Sequence, residues 1–149
     1  MDDPRPRLQA ALKEAMLSKD NDRRDVIRMT LSAIKQLEVD SRRELSAEDV
    51  VGVLQKEAKT RREGIEEMER AGQTAAAAQA QSALAILESF LPRQLTREEI
   101  EAMARDAIAQ TGAAGAQDMG RVMSVLMPRV KGLADGSLVN QVVRELLRN

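Results

Sequence analysis

Three stretches of this chain carry residues that could do chemistry, and two of them are rich in cations. Lys56, Lys59 and Arg62 recur at steps of three, which puts them on one face of a helix. Such a stripe could contact nucleic-acid phosphates. The plainer reading is a solvated face, because Glu57 lies four before Arg61 and Lys59 four before Glu63. The second stretch runs Pro128-Arg-Val-Lys-Gly-Leu-Ala-Asp-Gly136, a loop with two cations, Arg129 and Lys131, and two glycines, Gly132 and Gly136. Asp135 is placed to cap the helix that follows. The free N–H groups of that helix, with Lys131 beside them, could hold an anion; the alternative is a plain helix–turn–helix connection with glycines at turn positions. No G-x-x-x-x-G-K-[ST] loop is present. The third stretch, Asp118-Met-Gly-Arg-Val-Met123, places Gly120 inside a helical pattern at a cost of about 1 kcal/mol relative to alanine. Close approach to a ligand would justify that glycine; a tight helix–helix contact is the simpler cause. The methionines read as core filler.

What the chain lacks narrows the chemistry further. It has 149 residues with no cysteine and no histidine. Thiolate nucleophiles, Cys/His zinc sites and the commonest general base are therefore excluded. Catalysis would have to run on Asp, Glu, Lys, Ser or Thr. The acid pairs Glu66-Glu67 and Glu98-Glu99 are adjacent, and adjacent side chains on a helix do not face each other. Nothing assembles a nucleophile, a base and an oxyanion hole, so no catalytic residue, metal or cofactor is expected. Phe90 is the only aromatic, which excludes recognition of single-stranded RNA by base stacking. The 23 basic and 24 acidic side chains nearly balance, so global charge does not choose a partner. Met1 to Ser18 has no unbroken apolar core, and no apolar run approaches the ~20 residues that span a bilayer. A cytoplasmic protein without membrane partners is expected.

The elements that must position these residues are all helical. Leu8, Ala11, Leu12, Ala15 and Met16 share one helical face. Asp22 is read as the cap of the next helix, in which Val26, Ile27, Met29, Leu31, Ala33, Ile34 and Leu37 cover an arc wide enough for packing on two sides. Ser46 to Asp49 resembles a capping box. A helix of about 25 residues, roughly 37 Å, follows. Val50, Val51, Leu54, Ala58, Ile65 and Met68 line its face, and no apolar residue falls between Lys59 and Gly64, so its middle is expected to stand clear of the core. The alanine-rich stretch after Gly72 predicts a helix, with Ala76, Ala80, Ala83, Leu84, Leu87, Phe90 and Leu91 on its face and Pro92 at its end. Thr96 to Glu99 is a second capping box, opening a face of Ile100, Met103, Ala104, Ala107 and Ile108. Met119, Val122, Met123 and Leu126 predict a short helix ended by Pro128. The last helix carries Leu138, Val139, Val142, Val143, Leu146 and Leu147. The expectation is an all-α protein with a four-helix N-terminal part, 1–92, followed by a small three-helix C-terminal bundle, 93–149.

In this order, several stretches resemble the YqeY-like proteins of the GatB/YqeY family. They are Val26-Ile-Arg-Met29 with Ala33-Ile-Lys35, Val53-Leu-Gln-Lys-Glu57, Phe90-Leu-Pro-Arg-Gln-Leu95, Asp118-Met-Gly-Arg-Val-Met123, Leu126-Met-Pro-Arg-Val-Lys-Gly132 and Ala134-Asp-Gly136. The resemblance implies a bacterial two-part helical protein whose C-terminal part is similar to the tail domain of the B subunit of the glutamine-dependent tRNA amidotransferase. That tail contacts the outer corner of tRNA, and similar domains are fused to some glutaminyl-tRNA synthetases. The label that comes with the family is carbon–nitrogen ligase activity with glutamine as amido-N-donor, although only the tail is matched and the catalytic parts are not. Asp118, Gly120, Arg121, Lys131, Gly132 and Asp135 carry the C-terminal signature. The alanine-rich stretch 73–83 departs from the more charged sequence of the family. The expected role is a tRNA-affinity or accessory protein that reads backbone shape and phosphates through Lys131, Arg129, Arg121 and Arg144, with Lys56 and Lys59 in the N-terminal part. A tRNA amidotransferase or an aminoacyl-tRNA synthetase is the implied protein partner. The alternative is a helical protein–protein adaptor with no nucleic-acid role, which an apolar patch left over after packing would favour.

Overall fold

The computed structural model describes residues 1–148; Asn149, the end of the expected C-terminal domain, lies outside the described residues. The described residues form seven α-helices and no strand. Contacts divide the chain into two compact units, Met1–Leu91 and Pro92–Asn149, and each has an apolar core of its own.

In the first unit, α1 (Arg5–Ser18) starts at Pro4 and Pro6, whose fixed φ suits a first helical turn. Arg5 Nη2 donates to Asp3 Oδ2 (2.7 Å) and to the Leu45 carbonyl (2.9 Å). The Arg5 hydrogen bond holds the Asp3 carboxyl below its ordinary range. The cap of α2 (Asn21–Ser41) is Asp20, which accepts from the Arg23 N–H at 3.2 Å. Asp22, expected as that cap, stands instead in the first turn. The reason is that Lys19 closes α1 in the left-handed region (φ 58°), so the turn is tighter than the polar run suggests. Helix α3 (Ala47–Arg70) opens with a complete Ser46/Asp49 capping box, and α4 (Thr74–Glu88) follows a turn at Gly72 with φ 73°.

Helix α2 touches α1, α3 and α4, and α3 packs along α4. Leu8, Ile27, Val50, Leu54, Leu84, Leu87 and Phe90 fill the space between them. Four expectations change here. The wide arc of α2 is not all covered: Val26, Ile27 and Ile34 are buried, but Met29 and Leu37 face outward. On α1, Met16 is exposed too, because α2 covers only the stripe of Leu8, Ala11 and Ala15. In α4, Ala77 rather than Ala76 faces the core; a run of alanines has no polar contrast from which to read rotation. The middle of α3 does not stand clear. Arg61 reaches the Met29 thioether of α2 (3.8 Å) and Arg62 reaches Glu88 of α4 (3.5 Å), so long polar stems cover the apolar gap.

In the second unit, α5 (Arg97–Thr111) carries a complete Thr96/Glu99 capping box and ends at Gly112, φ 66°. A single 3₁₀ turn, Ala116–Asp118, leads into α6 (Met119–Val130), and α7 (Gly136–Arg148) follows. All three helices contact one another. Small Ala104 and Ala107 on α5 sit with Ile100 against Val122, Leu126 and Val130 of α6 and Val139, Val142 and Val143 of α7. Pro128 does not end α6, as the sequence suggested, but stands in its last turn. The cost there is small: the missing N–H forfeits one bond, and the Lys131 N–H donates to the Met127 carbonyl (3.0 Å) to close the turn beyond it.

Candidate phosphate-contacting surface

The second unit positions its cations through two clamps. The first holds the α6–α7 loop. Gly132 sits at φ 79°, a conformation only glycine adopts freely. The segment before α5 grips this loop: Gln94 Nε2 donates to the Gly132 carbonyl (3.0 Å) and the Leu95 N–H to the Leu133 carbonyl (2.7 Å). The Leu133 and Ala134 N–H groups both donate to the Val130 carbonyl. Gly132 and Ala134 are buried, and Lys131 between Val130 and Gly132 is exposed on a loop fixed from both sides. Asp135 directly precedes α7, and its Oδ1 accepts from the Ser137 N–H (3.3 Å). One N-terminal donor of α7 is thus engaged by the protein's own carboxylate.

The second clamp joins the end of α5 to the start of α6. Asp118 accepts from the Ala114 N–H (2.9 Å) and pairs with Arg121 Nη2 (2.8 Å). The Ala114 N–H, then Arg121, hold the Asp118 carboxyl below its ordinary value. Arg121 Nη1 donates to the Thr111 carbonyl (3.1 Å), satisfying one of the last orphan acceptors of α5. Arg129 also turns toward α5, where Nη1 meets Asp106 (3.1 Å) and Nη2 meets Gln110 (2.7 Å). Arg144 donates to Asn140 Oδ1 one turn earlier on α7 (2.9 Å). Arg121, Arg129 and Arg144 therefore have internal partners at the surface, and Lys131 is not free of contacts either. Such exposed contacts contribute little to stability. Gly120 is exposed, and an added Cβ would meet nothing within 4 Å. The tight helix–helix contact expected at Gly120 does not exist.

In the first unit, Lys56 is exposed and Lys59 half-buried, while Arg62 is drawn to Glu88. The outward stripe expected from Lys56 to Arg62 is thus broken at its third member. Among the described residues no three acidic side chains come together to hold a metal ion.

The family model described as Yqey-like protein matches residues 5–147. The chain belongs to the Yqey-like family. No curated protein matches it. The match spans both units of this Yqey-like chain, so the N-terminal helices are part of the family's shared sequence as well as the C-terminal signature. Reading the sequence missed Gln94, Asp106 and Gln110 as the groups that fix the loop and engage Arg129. Gln94 was within reach, since it lies in the Phe90–Leu95 stretch that carries the resemblance; for Asp106 and Gln110 nothing local signals a partner. No helix among the described residues is long and apolar enough to cross a membrane.

Proposed function

We propose that the protein is a cytoplasmic tRNA-affinity or accessory protein related to glutamine-dependent tRNA amidotransferases, and that its C-terminal unit contacts the tRNA backbone. The observation that carries this reading is the exposed Lys131 on a loop whose backbone is pinned by Gln94 and Leu95. A pinned loop loses little entropy when it meets a phosphate. The segment 118–149 adds a surplus of basic over acidic residues, and Arg129, Arg144 and Arg148 are exposed. Backbone recognition suits a chain with one aromatic residue, because shape and phosphate contacts need no stacking platform. Amidotransferase chemistry itself would rest with a partner enzyme that this protein assists.

Titration of labelled total tRNA with the purified protein at two salt concentrations tests the reading. Affinity should fall steeply with salt, because each phosphate contact releases counterions. Salt-insensitive binding would remove the phosphate model. A second reading, a protein–protein adaptor, is favoured by a different observation: Met16, Leu17 and Met29 remain exposed on the first unit.

A further inference from the structure

We infer that the surface running from the end of α1 across α2 to the middle of α3 docks an acidic amphipathic helix of a partner protein. The inference deepens the adaptor reading and does not depend on tRNA binding by the other unit. Its first support is apolar exposure: Met16 is 51%, Met29 59% and Leu17 78% exposed. Met16 and Leu17 line a shallow groove of about 270 Å³ along α1 together with Gln9, Leu12 and Lys13. The contacts make one surface of these residues. Arg28 Nη2 lies 3.8 Å from the Met16 sulfur, Met29 is the next residue on α2, and Arg61 Nη2 lies 3.8 Å from the Met29 sulfur.

The second support is charge. Arg5, Arg43, Arg93, Arg97, Arg121 and Arg129 each hold a carboxylate. Arg28 and Arg61 hold no carboxylate among the described residues; the partner of each is a thioether sulfur, Met16 for Arg28 and Met29 for Arg61. Lys13, on the rim of the groove, also forms no ion pair among the described residues. A thioether is a weak acceptor, so both guanidinium groups keep their capacity for a bidentate carboxylate. A ligand that complements this surface must bring apolar side chains for Leu17 and the methionines and carboxylates for the cations between them. An amphipathic helix with leucine-type residues on one stripe and glutamates beside it brings both. Methionine suits such a surface, because its flexible side chain remoulds to the incoming residue. A nucleic-acid backbone would use the cations and gain nothing from the apolar residues. A lipid surface would want a single helix with one apolar face, whereas here the apolar residues come from two helices.

The test uses the full chain labelled with ¹³C at the methionine methyl groups. The probe is a synthetic helical peptide of about 15 residues, with leucine on one face and glutamate on the rest. The inference predicts that the Met16 and Met29 methyl signals shift on titration while those of Met103, Met119, Met123 and Met127 stay. It also predicts that Arg28→Glu/Arg61→Glu weakens the peptide about tenfold, as loss of two charge-assisted contacts should. Leu17→Lys, which leaves both arginines in place, should weaken it as well, with the helical circular dichroism of both variants unchanged. No movement of Met16 and Met29 would overturn both the inference and the adaptor reading of this face. Equal movement with a leucine/lysine peptide would overturn the acidic partner and leave the adaptor reading standing. Movement with tRNA or with phosphatidylserine vesicles but not with the peptide would overturn it by assigning the surface to a polyanion or a lipid. Movement on concentrating the protein alone would overturn it in favour of a second copy of the chain.

Discussion

Replacing Gly120 with alanine should make the protein more stable and a poorer tRNA binder. Gly120 is the second residue of α6, preceded by the 3₁₀ turn, so its backbone is already helical. A Cβ built there meets no atom within 4 Å. Alanine therefore introduces no clash, and it removes the entropy that glycine loses on folding, worth about 0.5–1 kcal/mol. The lower half of that range is expected at a helix start. Far-UV circular dichroism in urea is the assay, since a chain with no tryptophan or tyrosine offers little intrinsic fluorescence. The midpoint should rise by a few tenths molar. Gly64→Ala on α3 is the control: its Cβ also meets nothing within 4 Å, so it should stabilise similarly and leave tRNA affinity unchanged. Under the proposed function, the Gly120→Ala methyl group stands at an exposed position next to Arg121, where an approaching phosphate backbone would meet it. A destabilised Gly120→Ala protein would refute the open-space argument. A stabilised protein with unchanged affinity would remove Gly120 from the contact surface.

Other perturbations read other parts of the structure. Leu126→Ala, in the core of the second unit, should cost about 2–5 kcal/mol and melt α5–α7 at lower urea than α1–α4, visible as a split transition by circular dichroism. Thr96→Ala should cost about 1 kcal/mol through the lost α5 cap, and a neutral effect on the urea midpoint would contradict the capping box. Acid should destabilise the fold in a defined direction. The Thr96 N–H with Arg93 lowers Glu99, the Ala114 N–H with Arg121 lowers Asp118, and Arg43 with Ser46 lowers Asp49. Their stabilisation is complete above the unfolded carboxyl values, about 4, and is lost as pH falls through the lower folded values. With no histidine, thermal stability should be flat between about pH 5 and 8, and a slope in that window would contradict the assignment.

Much of the helical framework was legible in the sequence because its signals are local. The Ser46/Asp49 and Thr96/Glu99 boxes declare themselves by spacing, and Gly72 takes the positive φ its place requires. Where local signal is degenerate, rotation and ends slipped. Four successive alanines cannot say which of Ala76 and Ala77 faces inward, and two aspartates near one turn cannot say which one caps. Pro128 showed that a proline near a helix end need not terminate it when the next turn closes behind it. The candidate surface was legible only as a list of cations. What those cations do depends on partners far along the chain: Gln94 lies 38 residues from Gly132, and Arg129 lies 23 from Asp106. The exposure of Met16 and Met29 was hidden for a related reason, since an apolar residue on a helical stripe looks the same whether or not a neighbour covers it.

The most direct test of the proposed function is tRNA binding by the intact protein and by Arg129→Ala/Lys131→Ala, measured by fluorescence anisotropy at low and moderate salt. Arg129 sits at the surface and Lys131 on a loop pinned through its backbone, so the double variant should keep its helical circular dichroism. The account predicts salt-sensitive binding by the intact chain, and a variant that binds more weakly with a shallower salt dependence. Equal binding by both proteins, or no binding by either, would contradict it.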